Sequence, residues 1–298
     1  MSLEFTPKRN EIQAEEPRSF WRHPIIHTLW RDPWTLLGAL LVFTYILVVL
    51  FAPLLAPADP EKGNILVRLK PPSREHLLGT DGLGRDLLSR ILFGARISGV
   101  IAVFAVIVSG AVGVLLGALA GYFEGWTDTL IGRFVDTLLA FPGILLAILV
   151  LAILGPGLSS IIIAIGIFGV PSYARVVRGG VLTVKKHDFV EAARALGATP
   201  GAILVRHVLR NAWAPVIVLT SLNFGTAVLT ASALSFLGLG VQPPTAEWGA
   251  MIAEGREHIR VAPHITTFTG LCIFLTVLGF NLLGDGLRDA LDPRSRER

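Results

Sequence analysis

SGVIAVFAVIVSGAVGVLLGALAG, residues 98–121, runs for 24 residues without a charged side chain. A bilayer core about 30 Å thick takes about 20 helical residues, so this block is long enough to cross a membrane. Further apolar blocks fall at 34–56, 136–154, 158–174, 214–238 and 264–284. The expected fold is all-α: a polytopic membrane protein with six transmembrane helices. On this reading a polar segment 1–33 precedes the first helix, 34–56, and 57–97 forms an extracytoplasmic loop. A five-helix core, 98–284, includes a cytoplasmic loop at 175–213, and 285–298 is a tail.

Composition agrees with that reading. Of 298 residues 52% are hydrophobic and only 16% charged, with a mean hydropathy of +0.64; a soluble domain carries about a quarter charged residues. The net charge of +4 is explained by basic residues flanking the spans, which hold loops on the cytoplasmic side, so no nucleic-acid partner is expected. The first apolar block starts too late and runs too long for a cleavable signal, and is expected to stay as an uncleaved span ending near Pro53 and Pro57. With both termini cytoplasmic, the inside segments hold 17 Lys and Arg and the outside segments 9, which fixes the expected orientation. The single cysteine, Cys272, excludes a disulfide within one chain and suggests no thiol metal site.

Within 98–121, Ala105, Ser109, Gly113, Gly117 and Gly121 recur every four residues, giving one helix face almost without side chains. Such a face suits close approach of another helix, and helix packing is expected at Gly113, Gly117 and Gly121 in preference to a pore lining. The second to sixth spans hold no Asp, Glu, Lys, Arg or His in their interiors. Ion-driven carriers ordinarily need such groups or broken helices that coordinate the ion. Nor is there a G-x-x-x-x-G-K-[ST] phosphate loop, an H-E-x-x-H or a G-x-S-x-G. The chain carries no sign of an energy-capturing site of its own and is not expected to be an enzyme.

The loop 175–213 has coherent local signals. Helix-forming residues run from His187 to Leu196, Gly197 follows as a stop, and Thr199 with Pro200 reads as an N-cap and first helical position. The expected local structure is helix, tight turn, helix. Two readings are open on local physics: a knob that docks a partner, with Glu191 and Arg194 as polar anchors, or a basic helix lying on anionic lipid. The fifth span carries Thr220, Ser221, Asn223, Thr226, Thr230, Ser232 and Ser235, which must bond to a neighbouring helix, to their own helix or to water in a pathway.

Five strings resemble a known family. Glu191-Ala192-Ala193, three residues, then Gly197 is similar to the EAA loop of permease subunits in bacterial ABC importers. His207-Val208-Leu209-Arg210-Asn211 resembles the stretch that follows it, with Arg210 where the family usually has proline. His76-Leu77-Leu78-Gly79-Thr80-Asp81 with Gly84-Arg85-Asp86, and Phe236 to Pro244 followed by Glu247-Trp248-Gly249, resemble dipeptide and oligopeptide permease C-type subunits. So does Asn281 to Asp289. The resemblance covers roughly 25–295 and implies a bacterial inner-membrane location. It also implies a second homologous permease, two ABC ATPase subunits that bind ATP and Mg, and an extracytoplasmic solute-binding protein, with membrane lipid around the whole and no cofactor in this chain. It implies ATPase coupling at Glu191, Ala192, Ala193, Arg194 and Gly197. Asn223, Thr226 and Ser221 are then expected on the translocation path, and Trp248, Glu247 and Gln242 at the docking site of the binding protein. The substrate implied is a di- or oligopeptide, with nickel or another small solute as the alternative; a self-contained channel or secondary carrier, or a membrane scaffold, are the readings from other classes.

Overall fold

In the computed structural model, which describes residues 32–291, every regular element is a helix apart from one bridge between Thr80 and Asp86. Helix α1, Pro33–Leu55, starts on Asp32, whose carboxylate accepts the Trp34 and Thr35 amides, and on Pro33 at the first helical position. It runs two residues past Pro53 and packs along the last helix, where Gly38 lies against Leu282 and Leu283, and Gly279 against Leu41 and Val42.

Helix α2, Leu87–Phe123, is 37 residues long, so the second span begins well before residue 98. Hydropathy misses this extension because Arg90 and Arg96 lie in it. Asp86 caps it, accepting the Ser89 amide at 2.8 Å.

The third apolar block is not one helix. Helix α3, Gly125–Ala140, and helix α4, Gly143–Leu154, meet at 93°, which corrects the single span expected at 136–154. Pro142 is the cause: the residue before a proline is pushed out of the helical region, and Phe141 is extended at φ −89°, ψ 136°. Helix α5, Leu158–Val184, carries Pro171 inside it and extends beyond the expected end at 174. A proline inside a membrane helix is tolerated where neighbouring helices surround the freed carbonyl, and here α2 packs closely against this turn.

The small-residue face of α2 is turned towards α5. A Cβ on Gly113 would sit 2.7 Å from the Val170 carbonyl, and one on Gly121 would sit 2.9 Å from the Arg178 carbonyl; Gly117 lies against Ala174 and Val177. Ser109 Oγ donates to the Gly166 carbonyl at 2.9 Å. This is the most extensive helix pair among the described residues.

Helices α6, Asp188–Ala195, and α7, Pro200–Leu209, lie between α5 and α8, Trp213–Phe236. A short helix α9, Trp248–Arg256, precedes α10, His264–Leu291. The apolar interior falls into two clusters. One joins α1, α2, α4, α5, α8, α9 and α10 around Tyr45, Ile101 and Trp248. The other joins the ends of α2 and α5 to α6 and α7 through Tyr122, Val177, Val181, Val190, Ile203 and Val208. The second cluster seats the small helices on the spans. The expected segment 1–33 and the end of the tail lie almost wholly outside the described residues.

Candidate functional site

The helix-turn-helix forms as its sequence dictates, but between α5 and α8 it occupies only 185–212 because α5 is longer than expected. Val190 is fully buried in the second cluster, as are Ile203 and Val208. Asp188 and Glu191 stand in the first turn of α6 and Arg194 in the last, each matched to the helix dipole. The helix ends with the Gly197 amide donating to the Arg194 carbonyl at 3.0 Å and the Ala198 amide to the Ala193 carbonyl at 3.1 Å. This pair of bonds is the Schellman arrangement, which requires a left-handed residue between them, and Gly197 supplies it at φ +81°. No atom lies within 4 Å of where its Cβ would be, so a side chain there is opposed by backbone conformation and not by crowding.

Thr199 caps α7, accepting the Ala202 amide, with Pro200 at the first position. From Ile203 to Leu209 the helix takes the wider π form, and the chain turns into α8 at Ala212, φ −99°, ψ 6°. Arg210 continues the helix where a proline would have ended it sooner, and Pro215 sits in the first turn of α8, where no backbone donor is needed.

The outer surface of this unit is bare. Glu191, Ala192, Arg194 and Gly197 are exposed, Ala193 is half-buried, and Leu196 is 89% exposed. Beside them, Lys185 Nζ donates to the Tyr122 carbonyl at 2.6 Å and to Glu124 Oε1 at 2.9 Å, tying the loop to the end of α2.

Two of the three polar residues expected on a pathway meet in one place. Asn223 and Thr226 of α8 line a cavity of about 120 Å³ with Ser109 of α2 and Ser172 of α5. The Asn223 side-chain nitrogen is buried without a hydrogen-bond partner, whereas Thr226 bonds back to the Leu222 carbonyl of its own helix. Ser221 is turned the other way and donates to the Phe280 carbonyl of α10 at 3.0 Å. It belongs to helix packing and not to the cavity.

The segment 57–97 folds with 239–263 into a cap over one end of the bundle. Asp81, Arg85, Asp86 and Arg90 are all buried, Arg90 to 1% exposure. Arg85 pairs with Asp81 at 2.6 Å and Glu254 at 2.8 Å; Arg90 lies 3.3 Å from Asp81 and 3.4 Å from Glu254. Asp86 accepts the Ser89 amide and hydroxyl and pairs with His76. The i, i+4 spacing of Asp81 and Arg85 is a local signal of this network, but Glu254 could not be assigned to it from sequence.

The cap corrects two of the three residues expected to dock a binding protein. Trp248 is 2% exposed, donates Nε1–H to the Ile91 carbonyl at 3.0 Å and lies against Gly94. Glu247 is fully buried at the start of α9, accepting the Ala250 amide at 2.9 Å and the Ser98 hydroxyl at 3.3 Å, and burial raises its pKa. An apolar ring and a helix-capping carboxylate were drawn inward by the partners they needed. Gln242 alone of the three is exposed, with its amide donating to the Gly238 and Gly240 carbonyls.

Residues 113–297 match the family described as binding-protein-dependent transport system inner membrane component. The chain belongs to this family. Among its relatives, the glutathione transport system permease protein GsiD of Escherichia coli O6:K15:H31 is 49% identical over 284 residues, 95% of this chain and 93% of that one. GsiD of Pectobacterium atrosepticum is 47% identical over 282 residues, 92% and 94%. Two solved structures share the fold at lower identity. The inward-facing MetNI methionine ABC transporter aligns over 69% of this chain and 98% of that one, with TM-score 0.57 and 17% identity. An amino acid ABC transporter aligns over 71% and 95%, with TM-score 0.53 and 15% identity. The protein is thus a multi-pass inner-membrane permease subunit of an ABC importer.

Proposed function

We propose that this permease moves small peptides, with glutathione-like tripeptides inside its range, as one half of a translocation path completed by a second homologous permease. The observation that carries the reading is the 49% identity to a glutathione permease along nearly the whole chain. Two ATPase subunits, binding ATP and Mg, drive the cycle by seating against Glu191, Ala192, Ala193, Arg194 and Gly197, with N- and C-termini on the same cytoplasmic side. The bare surface of α6 supports this: exposed charge and an exposed leucine beside a buried seat make a surface ready for a protein partner. Asn223 and Thr226 face the path, where an uncharged, weakly polar wall suits a peptide passed on without tight binding. An extracytoplasmic binding protein meets the cap near Gln242.

The test is affinity purification of the tagged chain in mild detergent, with co-purifying proteins identified, followed by reconstitution with labelled glutathione and dipeptides. A second six-span protein and P-loop ATPases are expected, together with ATP-dependent uptake of at least one peptide. Recovery of the chain alone, still passing solute without ATP, would overturn the coupled-importer reading. A complete complex that moves nickel but no peptide would overturn the substrate class.

A further inference from the structure

The bent pair α3–α4 leaves a question of length. Helix α4 has 12 residues, about 18 Å at 1.5 Å per residue, little more than half of a bilayer core about 30 Å thick. Helix α3 turns away from it by 93° and cannot complete a straight crossing.

The faces of α3 differ sharply. Trp126, Leu130 and Phe134, at i, i+4 and i+8, form an exposed apolar row, and Phe141 extends it. Trp126 is 81% exposed. The opposite face is bound to the protein: Val135 is buried, Asp128 accepts two hydrogen bonds from Arg178, and Asp136 accepts one from Arg175 at 2.8 Å. At the near end Glu124 meets Lys185. These pairs fix the rotation of α3 so that the apolar row points outward.

We propose that α3 lies lengthwise in the membrane interface on the side of the helix-turn-helix loop, with Trp126, Leu130 and Phe134 inserted among lipid chains. Four observations choose lipid as the occupant of this face. The row runs without a break into Leu145, Leu149 and Ile153, the exposed face of α4. Arg133 is exposed, makes no ion pair among the described residues and lies between the row and the α3–α5 cavity that it lines with Asp136 and Arg175, a position from which a long cationic side chain can extend to lipid phosphates. Tryptophan favours the head-group level. An amphipathic helix with an apolar row and a charged edge is the form that lies in an interface and does not span it. Helix α4, joined to α3 through Phe141 and Pro142, then crosses the part of the bilayer remote from the loop. This inference rests on the chain being a membrane permease and is independent of its substrate and of ATPase coupling.

Depth measurement tests it. In a Cys272→Ala background, Trp126→Cys, Leu130→Cys, Phe134→Cys and, as an internal reference, Leu149→Cys are spin-labelled in the complete complex. The complex is reconstituted in vesicles of phosphatidylethanolamine and phosphatidylglycerol. Relative accessibility to oxygen and to a water-soluble nickel chelate gives the depth of each label. The labels at 126, 130 and 134 are expected at one shared depth, at the head-group boundary and shallower than 149. A depth that changes steadily by about 1.5 Å per residue would make α3 a spanning segment and overturn the proposal. Shielding of all three from both reagents would overturn it in favour of a protein partner on this face, and full access to the chelate without oxygen contact would place the helix in water. Labels replace exposed side chains only, and retention of the complex on size exclusion confirms that each variant is folded.

Discussion

The cap and the helix-turn-helix loop are both rich in charge, and they use it in opposite ways. In the cap, Asp81, Arg85, Asp86 and Arg90 are out of contact with water, and their partners come from the same chain. In the loop, Glu191 and Arg194 are exposed and make no ion pair or side-chain hydrogen bond among the described residues. A buried charge left unpaired costs several kcal/mol, so a region that buries its charges must be complete within the chain. An exposed charge has no such requirement. The cap is a finished structure, and the loop leaves its charges open to solvent.

The sharpest way to break this contrast is to remove a buried cation. Arg90→Met should cost about 3–5 kcal/mol, because Asp81 loses a partner in a buried site; heat-induced aggregation in mild detergent should begin well below the wild-type temperature. Trp248→Ala should cost a similar 3–5 kcal/mol through the cavity it leaves. Any loss of binding-protein docking in Trp248→Ala should follow the loss of fold, read by the same melt. Gly197→Asp sharpens the other side: the left-handed position costs an ordinary residue about 1–2 kcal/mol, so the chain should insert and melt nearly normally while ATPase co-purification and uptake are lost.

A smaller effect is expected from Glu247. Burial raises its pKa in the fold, so the folded state favours the protonated form and its contribution is fully present below the ordinary value of 4.5. It is lost as pH rises through the raised value. Melting temperature should therefore fall as pH is raised from about 4.5, and Glu247→Gln, which keeps an acceptor for the Ala250 amide, should flatten that slope. The smallest effect should come from Gln242→Ala: exposed and off the core, it should shift stability by no more than about 0.5 kcal/mol, so weaker binding-protein docking in a pull-down would report the surface directly.

Much of the architecture is legible in the sequence because membrane burial writes itself as long uncharged runs. The helix-turn-helix is legible for a different reason: Gly197, Thr199 and Pro200 each carry a local backbone requirement that needs no tertiary information. The break before Pro142 sits in an apolar run that hydropathy reads as continuous, although the proline itself was a warning. The cap was misread because exposure was inferred from loop position. Trp248 and Glu247 are buried by contacts with Ile91 and Ser98, about 150 residues away in sequence, and no local pattern reports such contacts. In the wall of α8, side-chain direction separates Asn223 from Ser221, and the polar count alone could not.

The salt link between Arg85 and Glu254 joins positions 169 apart. Synthesis runs from the N-terminus at about 5–20 residues per second, so Arg85 and Arg90 emerge on the order of ten seconds or more before Glu254 can reach them. Until then the two guanidinium groups have only Asp81 of the two carboxylates that they share in the fold. Pairing with Glu254 is a late stitch in the making of the protein, set only after α8 has crossed and α9 has formed, and a chain truncated before Glu254 would lack it permanently.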